Sequence, residues 1–116
     1  MISIVAIVMA MNFWAPYNGG VPPCDASTFS PIMYDGQSQI GWTHRGNRYC
    51  DDIHLSNSLA KTSIAFQCEV IAHEIGHRFF DLDHSDDPNN IMHDGGTPTV
   101  PDGCIFKFRR GTDMRG

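Results

Sequence analysis

The stretch Ser63–Met92, SIAFQCEVIAHEIGHRFFDLDHSDDPNNIM, holds the strongest helical signal in the chain and the sharpest break from it. Between about Ser63 and Phe80, the residues Cys68, Ile71, Ala72, Ile75 and Phe79 recur at three- and four-residue spacing, which predicts a helix with one buried stripe. His73 and His77 fall one turn apart on a neighbouring face. From Asp81 to Asn90 the chain is too rich in Asp, Asn and Pro to stay helical, because these residues supply turn chemistry instead.

Working outward, Ile2–Met11 is a nearly unbroken apolar run rich in β-branched residues, read here as a strand buried on both faces. Pro16, Gly19, Gly20, Pro22 and Pro23 then punctuate a turn-rich stretch. Strands are expected at Ile32–Tyr34, at Gln39–Thr43 and at Tyr49–Leu55, with Ile53 and Leu55 facing the core and His54 facing outward. On the C-terminal side, Asp102 could cap a short helix over Cys104–Arg110 that Gly111 ends. The expected fold class is α/β (α+β), a small mixed β-sheet packed on the long helix, as a single domain over residues 1–116.

Thirteen acidic residues face eight Lys and Arg, a formal charge of −5, and the largest basic cluster is Arg109–Arg110. That balance argues against a nucleic-acid groove or an anionic membrane surface. Of the thirteen acids, only Glu69 and Glu74 are glutamate, so any task requiring that side chain falls to one of two residues.

Cys24, Cys50, Cys68 and Cys104 are too widely spaced for the short C-x-x-C pairs of a thiolate zinc site. They suit two disulfides, expected as Cys24 with Cys50 and Cys68 with Cys104, and hence a secreted or extracytoplasmic protein. The N-terminal run has the core length of a signal peptide, but no Lys or Arg precedes Arg45 and no small-x-small cleavage site precedes Asn12. It is also too short to span a membrane, which takes about 20 residues.

Residues 73–77 read H-E-x-x-H on a helix. Imidazoles four residues apart point the same way and can grip one zinc ion, and Glu74 beside them is placed to carry a proton between water and a leaving amine. The plain alternative is a solvated helix face. A catalytic site needs a third protein ligand, and the chain downstream supplies Asp81, Asp83, His84, Asp86, Asp87, His93 and Asp94.

The segment His73–Met92, HEIGHRFFDLDHSDDPNNIM, resembles the zinc-binding and Met-turn region of the metzincin metallopeptidases, and among them is most similar to the matrixins. The family pattern is H-E-x-x-H-x-x-G-x-x-H followed by a methionine. The resemblance implies His73 and His77 as Zn2+ ligands, Glu74 as general base and Met92 as the Met-turn residue. At the strict family spacing the third ligand is Asp83, the residue type that snapalysin-like members of the clan use. The local context Leu82-Asp83-His84-Ser85 favours His84 with one residue inserted, and the eight-residue step from His84 to Met92 matches the matrixins. Phe80 stands where the family has a glycine in left-handed conformation, so the turn is expected one residue on, at Asp81, which tolerates that conformation better.

The resemblance further implies a metzincin-like fold and a zinc-dependent endopeptidase acting on a protein or peptide substrate; with no nucleic-acid or membrane partner expected from the charge balance, the chain is expected to act as a monomer. The resemblance also places the strand around Ile53–Leu55 beside the helix, an edge strand pairing with substrate, and Thr97–Pro101 along the primed-side pocket. The competing reading is a non-catalytic binding module held by zinc or by disulfides alone. His44 and His54 read as surface residues rather than ligands.

Overall fold

The computed structural model describes residues 1–94. Two helices and a three-stranded mixed sheet form a small α+β unit: α1 (Ile4–Trp14), β1 (Ile32–Tyr34), β2 (Gly41–Thr43), β3 (Ile53–Ser56) and α2 (Ile64–Arg78), with short 3-10 turns at Ala15–Tyr17 and Asn57–Lys61. The expected helix after Pro101 lies outside the described residues.

The N-terminal run is helical, not a strand. A segment that is apolar all round carries no usable periodicity, so its β-branched content alone suggested a strand. Three local and tertiary facts decide otherwise. Ser3 caps the first turn by accepting a hydrogen bond from the Val5 amide. Ala6, Ile7, Ala10, Met11 and Trp14 are buried at helical spacing, and the two alanines let α1 approach α2 closely. Finally, the Trp14 indole N–H donates to the Ala72 carbonyl of α2 at 2.9 Å, giving the buried ring its polar partner.

The strand order is β1-β3-β2, with β3 parallel to β1 and antiparallel to β2. β3 is therefore the central strand. Ile53 and Leu55 are fully buried on the side facing the core, while His54 lies on the other face, stacked on Trp42 with ring centroids 3.6 Å apart. The expected strand at 49–55 is shorter than the sequence suggested, because Asp52 adopts a left-handed conformation (φ 57°) that ends any extended pairing before Ile53.

α2 is the element that packs against both α1 and the sheet. Ser63 caps it through the Phe66 amide, 3.1 Å away. Besides the stripe read from the sequence, Gln67, Glu69, Val70, Glu74, Gly76 and Arg78 are also buried, since neighbours cover the helix on more than one side. Buried Arg78 is satisfied by the Asp51 carboxylate at 2.7 and 3.2 Å and by the His44 carbonyl at 2.9 Å.

A disulfide joins Cys24 to Cys50, fastening the turn-rich stretch after α1 to the β2–β3 connection. Cys68 is fully buried on α2, and its expected partner Cys104 lies outside the described residues. The Cys24–Cys50 link closes a loop with a sequence separation of 26. Replacing both cysteines by serine is expected to lower stability by about 3.5 kcal/mol on the chain-entropy account, measured by urea unfolding of the oxidised wild type and the variant. A loss below about 1 kcal/mol would show that the unfolded chain is already constrained there.

Candidate metal centre

The centre is built on the last two turns of α2 and the chain that folds back beneath them. Helical spacing sets His73 and His77 side by side, with ring centroids 4.7 Å apart. The chain leaves the helix in a left-handed conformation at Asp81 (φ 55°), and the Leu82 amide donates back to the Gly76 carbonyl at 3.1 Å. This turn brings the His84 ring to within 5.2 Å of His73 and 4.7 Å of His77. One nitrogen from each of the three imidazoles lies within 4.8 Å of the other two.

Hydrogen bonding fixes which nitrogens face inward. His73 Nδ1 sits 2.9 Å from the Ile91 carbonyl and His77 Nδ1 sits 2.6 Å from the Leu82 carbonyl. A carbonyl can only accept, so both Nδ1 atoms carry the proton. Burial, reinforced by the neighbouring His77, pushes His73 down to about 4, and burial also lowers His77, so both rings are neutral at pH 7 with bare Nε2 atoms. Those two Nε2 atoms face each other at 3.1 Å. Two ligands on a tetrahedral zinc with bonds of about 2.0–2.1 Å stand roughly 3.3 Å apart, so the donor set and its spacing fit that ion. Backbone acceptors behind the imidazoles are the outer support such ligands usually have.

Asp83, the other candidate at this position, is not part of the cluster. Its carboxylate is bonded to the Arg45 guanidinium, which also binds the Asp81 carboxylate and carbonyl. Glu74 lies beside the cluster, 5% exposed, and burial pushes its carboxyl up to about 7. Gly41 of β2 makes room for it, since a Cβ there would stand 3.2 Å from Glu74 Oε2.

The three histidines and Glu74 border a cleft also lined by Ile40, Gly41, Trp42, Phe66, Val70 and Ile91. The strand along this cleft is β2, an outer strand of the sheet. Ile53–Leu55 packs against α2, as expected, but the edge along the cleft belongs to β2. Pairing with β1 on one side and β2 on the other makes β3 the sheet's centre and leaves it no free edge. Residues 97–101, expected to wall one end of the cleft, lie outside the described residues. His44 and His54 are not part of the cluster; both bind Asp52, at 2.6 and 2.7 Å, and these hydrogen bonds hold its carboxyl down at about 2.

Met92 is fully buried beneath the helix. Its amide is fixed by the Asn90 side chain at 2.8 Å and its carbonyl by the Ser85 amide at 2.9 Å, within a small parallel bridge between Ser85 and His93. Sequence reasoning missed two supports of this arrangement, Arg45 and Gly76. Gly76 gave a signal, because an interior helical glycine costs about 1 kcal/mol against alanine and so calls for a packing reason.

No family model, no curated protein and no solved structure matches this chain.

A methyl group at Gly76 would collide with the Met92 sulfur and come within 3.0 Å of both Met92 Cε and Trp14 Cζ2. Helix propensity alone would make Gly76→Ala stabilising. Overpacking reverses the sign, and the variant is expected to lose about 1–3 kcal/mol of stability in urea unfolding; a gain would show that Met92 moves aside without penalty.

Proposed function

We propose that this chain is a zinc-dependent endopeptidase of the metzincin type, most similar in its site to the matrixins. The observation that carries the reading is the convergence of His73, His77 and His84 beside the buried carboxyl of Glu74, in a cleft that runs along an outer strand. Those three histidines would hold the metal, with His84 rather than Asp83 as the third ligand. Zinc bound there would supply Lewis-acid activation of a scissile carbonyl and of the attacking water.

The remaining chemistry belongs to the chain. A carboxyl titrating near neutrality, as burial makes Glu74, can take a proton from water and return it to the departing amine with little free-energy penalty in either direction. Among the described residues, the outer edge of β2 pairs with no other strand, and an extended substrate backbone would add to the sheet there. Ile40, Trp42, Phe66, Val70 and Ile91 would bury the flanking side chains of a peptide. The Cys24–Cys50 bond goes with an extracytoplasmic setting. No helix among the described residues is long and apolar enough to cross a membrane.

The test combines metal analysis of protein purified without chelators with a peptidase assay. One zinc per chain and cleavage abolished by a chelator are expected. Glu74→Gln should keep the zinc and lower kcat/KM by at least about 100-fold. Equal cleavage by the two proteins would defeat the enzyme reading. Zinc without cleavage would point to a zinc-stabilised binding module, and no zinc at all to a disulfide-stapled one.

A further inference from the structure

Asp83 and His84 are adjacent, and either could in principle reach the metal position. Something must determine which one turns inward. The Arg45 guanidinium meets three groups of the turn at once: Nε to the Asp81 carboxylate at 3.2 Å, Nη2 to the Asp81 carbonyl at 2.9 Å, and Nη1 to the Asp83 carboxylate. One side chain thereby fixes both the residue at which the backbone turns left-handed and the direction of the carboxylate two residues later.

Arg45 is itself docked against the helix that carries the other two histidines. The amide of Gly46 donates to the His77 carbonyl and that of Asn47 to the Arg78 carbonyl, each at 3.0 Å, so this loop caps the C-terminus of α2. Gly46 is left-handed (φ 71°), and a Cβ on it would stand 2.8 Å from Asp81 Oδ1, so the loop and the turn fit only because that atom is missing. The position of Arg45 is therefore referred to the same two residues, His77 and Arg78, that end the metal-binding helix. Among the described residues the His84 side chain is held less directly: it is 46% exposed, and Asp94 lies 3.7 Å from its Nδ1, too far for a hydrogen bond.

We propose that Arg45 is a positioning residue that commits His84, rather than its neighbour Asp83, to the histidine cluster. The proposal rests on the metal-site reading above. It acts through two effects. Pairing with Arg45 draws the Asp83 carboxylate away from the cluster, and it neutralises the anionic oxygen that would otherwise compete with a neutral imidazole for a cation. The fixed Asp81 turn then leaves His84, the residue after Asp83, facing His73 and His77.

The experiment measures Zn2+ affinity by chelator competition and the visible spectrum of the Co2+-substituted protein, for wild type, Arg45→Met and Asp83→Asn, with the melting temperature of each metal-free protein recorded alongside. Arg45→Met is expected to bind zinc roughly 10- to 100-fold more weakly, the range seen for outer partners of metal ligands, and to show a changed Co2+ spectrum. Asp83→Asn, which removes the rival ligand as well as the pairing, is expected to weaken zinc less and to keep the wild-type Co2+ spectrum. Unchanged affinity and spectrum in Arg45→Met would overturn the proposal while leaving the metal site standing. So would a loss of affinity that merely follows a lower metal-free melting temperature with the Co2+ spectrum unaltered, because that is a purely structural effect. If wild type binds neither ion, the metal-site reading fails and the proposal falls with it.

Discussion

The arrangement around the histidines depends on the absence of a side chain at one helical position. Gly76 lies between His73 and His77 on α2, and the Met92 sulfur fills the space a methyl group would take. This contact sets how close the returning chain can come to the helix. With the chain that close, the Ile91 carbonyl reaches His73 Nδ1, and the Leu82 carbonyl, held by the turn after the helix, reaches His77 Nδ1. A packing constraint between a glycine and a thioether thus becomes a statement about protons: it determines which nitrogen of each ring is bare and which way that nitrogen points. Trp14 closes the other side of the same position and donates to the Ala72 carbonyl beside His73, so α1 supports the site from behind.

Sequence and structure part company in an instructive way. The long helix, its buried stripe and the H-E-x-x-H spacing were legible, because helical periodicity and i, i+4 geometry are local properties. The break after Phe80 was legible for a related reason: of Phe80 and Asp81, only the latter readily takes a positive φ, and Asp81 has φ 55°. The N-terminal run was misread because β-branched content is a weak guide when every residue is apolar. Burial of Ala6 and Ala10 against α2, 50 or more residues away, decides its state. That the edge along the cleft belongs to β2 was not legible for a topological reason, since Ile53 and Leu55 read as a core strand but nothing local reveals that β2 and β1 would flank it on both sides.

The connection between β2 and β3, residues 44–52, reads in the sequence as an unremarkable polar turn, yet several long-range restraints meet in it. Arg45 holds the turn that delivers His84, Gly46 and Asn47 cap the carbonyls at the end of α2, Cys50 is bonded to Cys24, and Asp51 pairs with buried Arg78. Each partner lies more than 25 residues away in sequence, which is why no local pattern announces it. The physical need behind this concentration is general. The last carbonyls of a helix have no partners within it, and here His77 and Arg78 are among those residues. Capping them from the sheet side ties the helix end to β2, the strand that borders the cleft. Among the described residues the sheet has three short strands, a small core to hold the two sides of the cleft in register. The alignment falls instead to one loop that binds helix end, turn and disulfide together, so rigidity at the histidine cluster comes from directed polar restraints more than from buried area.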